Sequence, residues 1–191
     1  IRDPLHRDHL YEIHTVQQQL TVLTSVNGAV KEAFIVHGAS GSGVSTLRGS
    51  VKWPDVQQEL WFRQTIDANG GLVVYVPTRA NEGASAYLSD NQIYYARMID
   101  IFGDNDEPNV MVLSVDKSAL SKFVQHLHTS PSTDISLFYN GNLVLQSNPA
   151  IERGDEMVSI RVENGSWSIM MEQPKADLFR QPRELRRLTY G

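Results

Sequence analysis

The 191-residue chain contains no cysteine. That removes disulfides, thiolate zinc sites and cysteine nucleophiles in one step. No apolar run approaches the ~20 residues of a membrane-spanning helix, and no signal-peptide pattern opens the sequence. Positive charge is in deficit: 17 Lys and Arg stand against 22 Asp and Glu, a net charge of -5. Nucleic-acid binding rests on clustered cations against phosphate, so that partner class is disfavoured. The one dense basic cluster, Arg180, Arg183, Arg186 and Arg187, holds Glu184 inside it and lies where a helix end favours cations anyway. Reaction motifs are missing as well, and no nucleophile elbow is found. Gly38-Ala-Ser-Gly-Ser-Gly-Val-Ser45 follows a strand but lacks the lysine of a phosphate-binding loop, so it reads as a mobile hairpin loop. The pairs His6/His9 and His126/His128 have no third ligand at local spacing, and Asp104–Glu107 lacks the glycine and alternating ligands of a calcium loop. Neither a metal, a cofactor nor a catalytic residue is expected.

What remains is an ordinary globular composition with clear periodicity. From Pro4 to about Thr24, Leu10, Ile13, Val16, Leu20 and Leu23 recur at helical steps and make one apolar stripe. Val30–Val36 reads as a strand, and a second is expected around Thr46–Val51. Pro54 opens a helix to about Ala68, which Asn69-Gly-Gly71 closes. Three strands follow: one from Val73, one within Asp90–Gly103, and Val110–Val115. The last runs through Asp116, a good N-cap, into a helix ending near His128. Arg79–Ser89 reads as a long loop over a pocket mouth, and Gly103–Glu107 as a turn.

Thr129-Ser-Pro-Ser-Thr133 is the strongest linker signal. Beyond it, Asn140-Gly141 and Asn164-Gly165 each separate two short strand-like runs, the pattern of two hairpins. Lys175–Leu188 returns to helix, interrupted by Pro182. The expected organisation is a spine helix (1–25), a larger lobe (26–128), a small lobe (129–174) and an exit helix (175–191). The fold class is α+β, with two stacked lobes of antiparallel sheet along a long N-terminal helix. Both abrupt ends read as the cut ends of a piece of a longer protein.

With these residues placed, the chain resembles the extracellular double-PAS (dCache) sensor region of YesM-type bacterial sensor histidine kinases. Val30–Val36 looks like that family's first strand, and Leu60-Trp-Phe-Arg63 like the aromatic pair of its pocket helix. Ala68–Gly71 is similar to the turn after that helix, Tyr95–Ile99 to its strand with Arg before a hydrophobe, and Val112–Leu120 to its strand-Asp-helix step. Leu137–Gly141 and Gly165–Ile169 resemble strands of its second lobe. The resemblance spans nearly the whole chain, and the order of the motifs carries it. It implies two PAS-like lobes outside a bacterial, Gram-positive cell, between two transmembrane helices, with a small-molecule ligand in the distal lobe and no catalysis in this piece. A homodimer of the full-length receptor is a further expectation; the N-terminal stripe reads as a spine packed on its own domain, with extension into a dimer seam as the alternative. Membrane-anchored AraC-type regulators and chemoreceptors carry a similar region and remain alternatives. A free-standing small enzyme or solute-binding protein is a further one.

The expected ligand site centres on adjacent aromatics. Trp61 and Phe62 point about 100° apart on a helix, so one can face a pocket while the other is core; both in the core is the alternative. Trp61 would stack on a small planar ligand, a sugar ring being one option. Tyr75 and Tyr95 lie on neighbouring strands and would converge there. Arg97 shares a strand face with Tyr95 and needs an acceptor, either Asp100, Glu59 or the ligand. Arg63 and Phe62 join the site through the resemblance of the helix.

Overall fold

The computed structural model describes residues 7–26, 28–77, 87–99, 108–151 and 156–178, with side chains from His14 onward. The described chain forms two compact units, Ile1–Asp116 and Lys117–Gly191. Each contains one fully antiparallel sheet. Among the described residues no helix is long and apolar enough to cross a membrane.

In the first unit, α1 spans Arg7–Val26 and packs on the first two strands. Of its expected stripe, Leu20 is buried and Leu23 is exposed. Leu20 is therefore spent on its own unit and is not free for a seam between copies. The side chains of Leu10 and Ile13 lie outside the described residues. The sheet comprises β1 (Val30–His37), β2 (Ser42–Ser45), β3 (Gly49–Lys52), β4 (Val73–Tyr75), β5 (Gln92–Ile99) and β6 (Asn109–Asp116). Their order is β3-β2-β1-β6-β5-β4. β1 and β6 are central, which explains their dense apolar sequence.

This unit departs from the sequence expectation at two places. The glycine-rich stretch is not a loop throughout, because β2 lies inside it. Gly43 faces Ile35 of β1 so closely that a Cβ would sit 2.3 Å from that carbonyl oxygen. Small residues there admit a tight strand pair, and the strand expected at 46–51 becomes a turn at 46–48 followed by β3. The helix expected from Pro54 also divides. Asp55 is left-handed (φ 60) and Glu59 extended, leaving a 3-10 turn at Val56–Gln58 and then α2, Leu60–Asp67.

The second unit holds α3 (Lys117–Gln125), β7 (Asp134–Tyr139), β8 (Asn142–Gln146), β9 (Met157–Asn164), β10 (Trp167–Pro174) and α4 (Lys175–Leu178). The sheet order is β8-β7-β10-β9. Both Asn-Gly pairs sit at hairpin turns, with Asn140, Gly141 and Gly165 at positive φ. The expected linker at 129–133 is instead a knitted turn of this unit. Thr133 is buried, Ser130 N–H donates to Thr133 Oγ1 (3.1 Å), Thr129 Oγ1 donates to Gln173 Oε1 (2.7 Å), and Ser132 donates to Asp177. Hydroxyls read as flexible composition here close a turn, and the units divide at Asp116 instead. Of the expected exit helix, only Lys175–Leu178 lies within the described residues. The strand residues 100–103, the turn after them, and most of the loop 79–89 lie outside them as well.

Gly41 fixes how β3 returns to the core. Its φ is +63, its N–H donates to His37 O (2.8 Å), and its carbonyl accepts from Trp53 N–H (2.7 Å). A Cβ there would lie 2.1 Å from Trp53 O. Gly41→Ala is expected to destabilise the chain by more than about 2 kcal/mol, combining left-handed strain with the clash. Gly28→Ala, where a Cβ meets open space, is expected to leave the melting temperature within about 2 °C. Thermal melts of the two variants check the contrast.

Candidate functional site

Strand alternation divides the first sheet into two faces. One face carries Phe34 and Val36 from β1, Val110 and Val112 from β6, and Tyr94 and Ala96 from β5, aligned as Phe34↔Val112↔Ala96 and Val36↔Val110. Trp53, Val56, Trp61 and Phe62 complete one buried cluster with these residues and Tyr75. The aromatic rings meet edge to face. Phe34 lies 4.7 Å from Trp53 and 6.3 Å from Trp61, Trp53 6.2 Å from Trp61, and Trp61 5.6 Å from Phe62, all near perpendicular. Such pairs add about 0.5–1.5 kcal/mol each beyond area burial. Gly38 makes room for the last ring, since a Cβ there would sit 2.9 Å from Phe62 Cζ.

One polar row interrupts this apolar face. Glu32, Ser114 and Tyr94 lie directly across β1, β6 and β5. Glu32 is buried and accepts from Ser45 Oγ and from Arg48 Nε, the latter at 2.9 Å. The half-exposed Arg48 guanidinium also lies 5.2 Å from the Trp53 ring centre and 5.8 Å from that of Phe34. The turn that supplies Arg48 is held by Leu47 and Arg48 N–H groups donating to Ser45 Oγ. The Tyr94 hydroxyl donates to Gln92 Oε1 (2.8 Å) and accepts from Ser89 N–H (2.7 Å). Among the described residues, two buried polar atoms on this side have no hydrogen-bond partner, Trp61 Nε1 and Ser114 Oγ.

The expected site residues separate into three groups. Trp61, Phe62 and Tyr75 come together in the buried cluster. Trp61 is only 2% exposed, so its faces are taken by neighbouring rings. Tyr95 and Arg97 do not join them. Tyr75 pairs with Tyr94, while Tyr95 pairs with Val74 on the opposite face, so the expected convergence is off by one residue. Period-two alternation makes that shift decisive. Arg97 is exposed and donates to the Gly70 carbonyl (2.8 Å), which answers its need for an acceptor without Glu59 or a ligand; Asp100 lies outside the described residues. Arg63 is on the rim of a shallow cleft of about 270 Å³, lined also by Gln57, Phe62, Ile66, Asp67 and Pro108.

Sequence reasoning missed Glu32, Arg48, Trp53, Tyr94 and Ser114. A signal existed for three of them. Glu32-x-Phe34-x-Val36, Tyr94-x-Ala96 and Val110-x-Val112-x-Ser114 alternate in step, and each places one polar group at the same end of an apolar series. Among the described residues no group of three or more His, Asp or Glu side chains is placed to hold a metal ion.

No family model matches the chain, and no curated protein matches it by sequence. Solved structures do match. The chain is similar over 87% of its length to the extracellular domain of a protein assigned as a histidine kinase, rpHK1S-Z16, with a TM-score of 0.58, 11% identity and 79% of that chain covered. It is similar over 84% to the ligand-binding domain of the Pseudomonas aeruginosa PAO1 amino acid chemoreceptor PctC in complex with GABA (TM-score 0.58, 15% identity, 80% of that chain). It is similar over 88% to the ligand-binding domain of the Pseudomonas fluorescens chemoreceptor CtaA in complex with L-isoleucine (TM-score 0.53, 12% identity, 90% of that chain). The chain thus shares with these solved domains a mixed α+β fold built on antiparallel sheets. The neighbours include extracellular domains assigned to histidine kinases and ligand-binding domains of chemoreceptors.

Tyr94 gives the polar row a pH signature. Burial pushes its phenol up to about 12 from 10.0, opposed by the Ser89 amide and reinforced by the nearby Glu32 charge. The folded state therefore keeps this proton after the unfolded chain has lost it. Stability from this group is fully present below about pH 10 and falls as pH rises towards 12. Tyr94→Phe is expected to remove that part of the alkaline slope, measured by urea unfolding between pH 9 and pH 12.

Proposed function

We propose that the chain is the extracellular ligand-sensing domain of a bacterial membrane receptor, and that the first unit holds a small zwitterion of the amino-acid class on the polar row. The observation that carries this reading is the pair of buried, unpartnered polar atoms, Trp61 Nε1 and Ser114 Oγ, on the side of the core that also presents Glu32 and Tyr94. A buried polar atom without a partner costs about 1–3 kcal/mol, so a ligand that supplies partners gains directly. The Glu32–Arg48 pair sets opposite charges 2.9 Å apart, an arrangement that the two ends of a zwitterion match. The carboxylate takes Arg48 and the Trp61 N–H, and the ammonium takes Glu32 and the Ser114 hydroxyl. GABA and L-isoleucine in two neighbours support the same ligand class. A sugar stacked on Trp61 is less well supported, because that ring is enclosed by Phe34, Trp53 and Phe62.

Glu32 sits on the central strand β1, and Arg48 on the turn between β2 and β3. A ligand bridging them ties that turn to the middle of the sheet. It signals only through a differential affinity for two receptor states. The order of sequence motifs favours a YesM-type histidine kinase as the parent protein, with a chemoreceptor or a membrane-anchored AraC-type regulator as the other readings.

A thermal-shift screen against amino acids, ω-amino acids, organic acids and sugars tests the reading. A ligand at 100 times its dissociation constant adds about 2.7 kcal/mol. Ser114→Ala is expected to leave the unliganded melting temperature unchanged or raised, since it removes an unpartnered hydroxyl, while weakening the hit about tenfold. Arg48→Ala is expected to abolish the shift. A sugar hit that survives both substitutions would place the ligand elsewhere.

A further inference from the structure

The second unit presents an open sheet edge of unusual length. β9 pairs with β10 through eight continuous residues, Met157–Asn164, without a register shift. Its other side pairs with no strand among the described residues. The remaining sheet edges are blunted in familiar ways. β3 is four residues with Gly49 and Lys52, β4 is three, and β8 is five beside a register irregularity. β9 carries no Pro, Gly or Lys, alternates Val158, Ile160 and Val162, and is exposed along most of its length. Ile160 and Val162 are 57% and 63% exposed, and Ile169 of β10 continues the same face beside Val162. An edge with unpaired N–H and C=O groups is completed by another strand.

We infer that β9 pairs antiparallel with β9 of a second copy of this chain, about a two-fold axis through Val162. A two-fold contact is self-complementary, and the sequence of β9 meets that requirement in this register. Val162 faces Val162 on the apolar side. On the other side Arg161 faces Glu163 of the second copy, and Glu163 faces its Arg161. Within one chain these two side chains already pair at 2.9 Å, so the dimer closes a ring of four alternating charges. A one-residue move of the axis to Arg161 sets guanidinium against guanidinium, and an axis at Ile160 leaves Arg161 facing Ser159 with no ion pair. The charge pattern thus selects one register of three. Arg161 is already positioned by its hydrogen bond to Ser168 Oγ (3.0 Å) and its place 5.6 Å from the Phe138 ring. This inference concerns a different unit from the ligand site and stands independently of it.

Charge exchange tests it. The wild-type chain and the variants Arg161→Glu and Glu163→Arg are compared by sedimentation equilibrium up to about 1 mM, the effective concentration that a shared tether provides. Wild type is expected to dimerise. Each variant alone is expected to lose about tenfold or more in association, because two like-charge pairs replace two opposite ones. Mixed in equal amounts, the variants are expected to recover the wild-type level, since every cross-strand pair is then opposite in sign. Recovery on mixing also shows that both variants are folded. A wild-type chain that stays monomeric throughout overturns the proposal. So do variants that dimerise as wild type does, or a mixture that fails to recover while thermal melts show both variants folded.

Discussion

The perpendicular contact between Phe34 and Trp53 is the interaction on which the first unit rests. Phe34 lies on the central strand and Trp53 on the chain leaving the sheet's edge, so their contact joins the two extremes of the β3-β2-β1 half-sheet. Trp61 then closes on both rings and brings α2 with it. The geometry depends on glycines that stand outside the cluster. Gly41 lets the chain approach the Trp53 backbone, and Gly38 leaves space for Phe62. The core is thus dictated as much by where side chains are missing as by where they are large.

The polar row follows from the same packing. With Phe34 occupied by Trp53 and Trp61, the next residue outward on that face of β1 is Glu32. It is buried because Arg48 and Ser45 reach across from the adjoining turn and strand. A buried carboxylate is tolerated only with such partners. The row therefore has an architectural role of its own, Glu32 holding Arg48 and Ser45 where the β2–β3 turn meets the sheet, and under the proposed function a ligand's charge would engage the same group.

Much of the architecture was legible in the sequence because it follows periodicity and turn chemistry. The α1 helix, the strand-to-helix step at Asp116 and both Asn-Gly hairpins are local signals, and the structure has them. The site was legible only in part, because it depends on register. Tyr94 and Tyr95 are equivalent in composition, yet one joins the core and the other does not, and only pairing with Tyr75 decides which. Arg48 lies in a turn with no periodicity to place it. Ser and Thr at 129–133 read as linker because hydroxyls suit both solvent and a closed turn, and distant Gln173 and Asp177 decide between them. The split of the 54–68 helix rests on one left-handed aspartate that no spacing rule marks.

The Trp61 indole N–H is the most direct reporter of the central claim. The chain has three tryptophans, so three indole resonances appear in a 15N-labelled sample, and Trp61→Phe assigns one of them. Titration with a zwitterionic ligand that raises the melting temperature is predicted to shift the Trp61 resonance most and to slow its hydrogen exchange, as the unpartnered donor gains an acceptor. A stabilising ligand that leaves this resonance unmoved, while perturbing residues remote from the row of Glu32, Ser114 and Tyr94, would contradict the account.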